Sequence, residues 1–296
     1  MKRQSPSAEE IVLPGVRAAL ADTKMLIARS VASLSAADPG HFGPGSVSWR
    51  IFSHASYGIS GVAAVLMQAL HPVAMAAVDA HSVFRSDAWR RAQMTADYVF
   101  TITFSARPVA DAAAARVRRI HAGIGADEPA LLLWVHAVHT EHALRGYEAF
   151  AGRLSAEEAD RFVAEQRIAA RLVGLDPGTV PATRAELRAW IAAVPGLGVT
   201  APAARFARLM VTARMPVTMV PFWALHVAGA ALLLPEEVCR AYELARWLPR
   251  GRLARALIAA AIRSINAGYL LFAPVRRARA RLKEVERAVR AGAGGR

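Results

Sequence analysis

Three groups of side chains in this 296-residue chain are of types that do chemistry. The densest is WVHAVHTEH, where His136 and His139 stand three apart and share a face of any helix that carries them, so a shared metal ion is geometrically open. No His-Glu-x-x-His of a zinc protease and no Glu-x-x-His of a di-iron bundle occurs, which leaves surface or hydrogen-bonded core histidines as the plainer reading. His71, followed by Pro72 in a long uncharged run, is either a satisfied core imidazole or one that faces a cofactor or substrate. His121 ends the basic stretch ARVRRIHAGIG. Charged, it would interact favourably with the helix dipole; neutral, it could hold haem iron axially. Arg91 and Thr95, at i and i+4, share a face. They are either an exposed Arg beside a Thr bonded to its own helix, or a fixed cation and hydroxyl able to polarise dioxygen or a carbonyl in a cavity.

The elements that must position these groups read as helices. Apolar residues recur at helical spacing almost throughout, and no alternating run is bounded by hairpin signals. Helices are expected over 8–35, over 59–78 with a bend at Pro72, and from a cap at Ser86 or Asp87 to Phe104. Val109–Ile124 follows Pro108 and is terminated by Gly123 and Gly125, and a further helix runs from Glu128–Pro129 to Ala149. Ser155 with Glu158 and Thr183 with Glu186 have capping-box spacing and predict helices at 156–173 and 184–193. Later helices fit 203–213, 219–233, 236–247 and 251–271, with a basic last helix from Pro274 and a fraying AGAGGR end. Pro39–Ser46, with three Gly and two Pro, is a loop, and Ile51–Tyr57 is a short apolar piece of ambiguous type.

Composition narrows the function classes. Hydrophobic content of 54% favours a large core. The net charge of +14 is carried almost wholly by Arg; eight basic residues fall in 276–296 against Glu284 and Glu286, leaving a dispersed charge of about +8 on the rest. No zinc-finger spacing or aromatic-interleaved basic stripe is present, so nucleic acid is not an expected partner. A single cysteine, Cys239, excludes an internal disulfide. With no apolar leader at the N-terminus, this suits a cytoplasmic setting. Two runs without Asp, Glu, Lys or Arg, Ile51–Val78 and Met215–Pro235, are long enough to raise a membrane span. The polar residues of the first and the prolines of the second favour buried core helices, with peripheral membrane contact left open.

The ordered set LMQALHP, H-S-V-F, R-x-x-x-T, R-I-H-A and L-L-W-V-H resembles the family of MpaB-type oxygenases and rubber-oxygenase (latex-clearing) proteins, over a recognisable core of 58–150. That resemblance implies an all-α fold, a single large domain over 1–275 around a buried cofactor cavity, with 276–296 as a basic terminal helix and tail. It implies haem b, dioxygen chemistry and a hydrophobic small-molecule substrate. It places His121 as the proximal iron ligand and metal-binding residue, Arg91 and Thr95 as catalytic cavity residues, and His71 and His136 at recurrent cofactor-site positions. Met94 stands where the rubber-cleaving branch has a lysine, so that branch's polymer cleavage is not expected. The expected protein is a haem-dependent oxidoreductase; the alternative is a non-catalytic hydrophobic-ligand or membrane-peripheral helical protein whose Arg-rich C-terminal helix meets anionic lipid.

Overall fold

The computed structural model describes residues 30–80, 88–213, 215, 217–244, 251–271 and 273–293, leaving aside the side chains of 77–80, 88–92, 218, 268–271, 273–279, 290, 292 and 293. Among the described residues every regular element is helical, and the fold is all-α. The chain runs through α1 (Val47–Phe52), α2 (Ser56–Gln68), α3 (Pro72–Ala80), α4 (Ala88–Phe104), α5 (Arg107–Gly123) and α6 (Pro129–Phe150). It continues through α7 (Ala156–Val173), α8 (Arg184–Ala193), α9 (Ala201–Val211), α10 (Val220–Leu233), α11 (Glu236–Ala241), α12 (Arg252–Leu271) and α13 (Ala273–Ala293).

Local chemistry sets most of these boundaries. Both capping boxes form: Ser155 and Thr183 accept from the amides of Glu158 and Glu186, whose carboxylates return to the cap amides. Glu128 accepts from Ala130 and Leu131 at the start of α6. The ambiguous piece Ile51–Tyr57 divides between the end of α1, a turn at 53–55 and the start of α2; α1 begins where Ser46 caps it through Trp49 N–H and Glu165 accepts from Val47 N–H, Ser48 N–H and the Ser48 hydroxyl.

Pro72 does not bend one long helix; it begins a new one. The end of α2 is fixed from outside instead: Tyr242 donates to Leu66 O at 2.9 Å, Trp134 Nε1 to Gln68 O at 3.0 Å and Gly198 N–H to Leu70 O at 2.9 Å. Carbonyls that a helix end leaves open are thereby satisfied by three separate elements. The helix expected over 236–247 stops at Ala241, and Glu243 turns to φ 57°. Of the helix expected over 8–35, residues 8–29 lie outside the described residues and 30–32 are helical; the caps at Ser86 and Asp87 and the chain end at 294–296 also lie outside them.

α2 is the centre. It packs on α6 and α10 with helix backbones in close approach: a Cβ at Gly146 of α6 would overlap Ser60 Oγ, and one at Gly58 would lie 2.6 Å from His226 Nε2 on α10. One apolar cluster, with Ile59, Leu66, Trp223 and Ile262, fills the side toward α9–α12. A second, with Phe52, Phe100, Phe104 and Phe162, fills the side toward α1, α4 and α7, and takes Val285 from α13. The last helix therefore packs into the body through Leu282, Val285 and Val289. No helix among the described residues is long and apolar enough to cross a membrane.

Candidate active site

α4 and α5 form an antiparallel hairpin joined by Ser105 and Ala106. Arg91 lies thirteen residues before the end of α4 and His121 fourteen after the start of α5, so each is about 20 Å along its own helix from the connection. Thr95 lies one turn closer to the connection and is exposed. The backbone of Arg91 is within α4; its side chain lies outside the described residues.

His121 is half-buried on the last turn of α5, and that turn is locked. Ala126 N–H donates to His121 O at 2.8 Å and Gly125 N–H to Ala122 O at 3.3 Å, with Gly125 at φ 64°. This is a Schellman closure, and it requires the left-handed conformation that glycine takes without a Cβ clash. Arg118 is committed elsewhere, donating to Leu172 O, while Arg116 and Arg119 stay exposed.

His71 precedes α3 rather than sitting within a helix. Its Nδ1 accepts from Ala74 N–H at 3.4 Å, a long capping contact, and its ring lies 5.9 Å from that of Trp134. Gln68 Nε2 donates to Val135 O at 2.9 Å, so the end of α2, His71 and the first half of α6 are tied together. His136 lies next along α6. It keeps some accessible surface, yet desolvation, with its neighbour His139, holds its pKa down at about 3.

His139 and the Tyr57 hydroxyl share a 2.9 Å hydrogen bond, 82 positions apart in sequence, and the imidazole stacks on Phe52. Burial lowers the His139 pKa to about 4 and raises that of Tyr57 far above its ordinary value. Both partners are therefore neutral at pH 7. Nothing in the sequence signalled Tyr57. His142 and His226 follow another pattern, each donating from Nδ1 to the carbonyl four residues back, Val138 and Phe222, at 2.8 Å. They read as core histidines. Among the described residues no three His, Cys, Asp or Glu gather as a metal cluster, so a His136–His139 centre completed by a third such ligand does not form there.

Large apolar residues lie exposed on each helix that carries or adjoins a candidate. They are Val73 beside His71, Met94 beside Thr95, Ile120 beside His121 and Val135 beside His136, with exposures of 58%, 52%, 44% and 41%. A surface pocket of about 420 Å³ lies elsewhere, between α1, α7 and α13, and includes none of these residues.

A search of curated proteins and one of solved structures each find no match to this chain. Residues 49–264, well over half its length, match the family model described as ER-bound oxygenase mpaB/B'/Rubber oxygenase, catalytic domain. The match spans the α4–α5 hairpin, α6 and the α2–α6–α10 core together, and the chain belongs to that oxygenase family.

Proposed function

We propose that this chain is a haem-b oxygenase that uses dioxygen to oxidise a hydrophobic small molecule, with His121 as the iron ligand. The observation that carries the reading is the family match across residues 49–264, within which His121 and Arg91 lie at similar distances along the two helices of one hairpin from its connection. The residues present fit the group: a flat, largely apolar macrocycle calls for exposed apolar walls and an imidazole held in a fixed orientation, and the Schellman closure after His121 fixes its backbone.

Haem b, when bound, supplies redox-active iron for chemistry with dioxygen. His121 would hold that iron through one imidazole nitrogen. The Arg91 cation and the Thr95 hydroxyl, one turn apart, would orient the oxidant or substrate and stabilise negative charge as it develops. His136, held neutral at pH 7, can exchange hydrogen bonds through its ring nitrogens without taking on charge, and His71 contributes a wall beside Trp134. Val73, Met94, Ile120 and Val135 would contact the apolar ligand and exclude water, which strengthens each polar interaction inside. Met94 in place of a lysine leaves this wall uncharged, which suits a small apolar substrate.

The test is consumption of dioxygen by haem-replete protein across a panel of hydrophobic small molecules. Substrate-dependent uptake abolished in Arg91→Ala is expected; uptake that ignores both the panel and the substitution would remove the catalytic assignment.

A further inference from the structure

The C-terminal helix was the expected lipid contact, yet its apolar residues Leu282, Val285 and Val289 are used in packing. Among the described residues, an apolar face turned outward lies on the helix before it. On α12, Ala254, Ile258, Ala259 and Ile262 are buried, while Leu253, Ala256, Leu257 and Ala260 are exposed, Leu253 at 73% and Leu257 at 62%. Positions 253, 256, 257 and 260 follow one another at helical spacing, so they form a continuous outward stripe. α12 is thus apolar on two sides: one faces the core and the other faces outward.

Charge says what covers the outward side. From Leu244 to Lys283 the chain contains no carboxylate and ten Arg or Lys residues. Arg252 and Arg263 are exposed on α12, along one border of the stripe. No carboxylate pairs with either among the described residues. Two exposed leucines on one turn, bordered by unneutralised guanidinium groups, suit a surface with phosphate at its face and hydrocarbon just beneath. A nucleic acid would use the arginines and leave the leucines in water. A second protein would need carboxylates for the arginines and an apolar groove for the leucines, a more particular match than a lipid headgroup layer offers.

We propose that the outward face of α12 docks on an anionic phospholipid bilayer, the leucines entering the headgroup layer and the arginines contacting lipid phosphate. Attachment is peripheral, and a hydrophobic substrate could then be drawn from the bilayer itself.

The test is co-sedimentation of the full chain with phosphatidylcholine vesicles made with and without phosphatidylglycerol, alongside a competition with duplex DNA. The expected result is binding only when phosphatidylglycerol is present, weakened by salt. Leu253→Ser/Leu257→Ser should weaken it at least ten-fold with an unchanged circular dichroism spectrum, whereas Val109→Ser, an exposed apolar change on α5, should leave it alone. Arg252→Ala/Arg263→Ala should also weaken it. No binding to anionic vesicles, binding indifferent to the leucine pair, or vesicle binding abolished by stoichiometric DNA would each overturn the proposal. None of these readouts depends on haem, so they stand apart from the oxygenase assignment.

Discussion

The α2–α6–α10 crossing and the open end of the α4–α5 hairpin use similar residue types to opposite ends. At the crossing, helices touch through Gly58 and Gly146, and the His142 and His226 Nδ1 atoms are spent on carbonyls of their own helices. At the hairpin end, His121 is half-buried, Thr95 is exposed, and large apolar side chains face outward. One region is closed on itself; the other leaves polar and apolar side chains at the surface.

The sharpest way to break the comparison is to damage the crossing. Gly146→Val should cost about 3 kcal/mol or more, because overlap with Ser60 cannot be relieved without moving α2. Denaturant titration would read it, and a loss under 1 kcal/mol would show the contact to be loose. Arg184→Ala should cost about 3 kcal/mol, since its 2.7 Å bonds to both oxygens of Glu148 are largely shielded and Glu141 sits beside it.

Acid should act on the same region. His136, His139, His142 and His226 all have folded pKa values of about 3 to 4, held down chiefly by desolvation. The unfolded chain binds more protons below about pH 6.5, so stability is intact above that value and lost as pH falls toward 4. Each buried histidine should contribute a loss of about 2 kcal/mol by pH 5. Thermal unfolding between pH 7.5 and 5 should show the slope, and His226→Phe should flatten it by one histidine's share. Tyr57→Phe, which removes one hydrogen bond to His139, should cost about 1 kcal/mol.

Legibility divides along the same line. The capping boxes at Ser155 and Thr183, the proline starts of α5 and α6 and the glycine stop at Gly125 are local events, and local spacing is enough to read them. The all-α class follows from periodicity for the same reason. What escaped was tertiary. Ile51–Tyr57 was ambiguous because Glu165, more than a hundred residues away, supplies the acceptor that starts α1. The break at Pro72 looked like a bend because Tyr242, Trp134 and Gly198, which hold the end of α2, are remote in sequence. Tyr57 had no motif to announce it. His71, Thr95, His121 and His136 were legible as chemistry-bearing types through the family's ordered motifs, while their burial and bonding belong to the fold.

A modest expected effect on stability at the open end accompanies the largest on function. His121→Ala, which truncates a half-buried side chain, should cost about 1 kcal/mol, the centre of the range for single substitutions. The decisive measurement is the absorption spectrum of haem-replete protein, comparing the unaltered chain with His121→Ala and His136→Ala. The account predicts a Soret band in the unaltered chain and in His136→Ala that is lost or strongly shifted in His121→Ala. A band that His121→Ala leaves untouched, or no band in the unaltered chain, would contradict it.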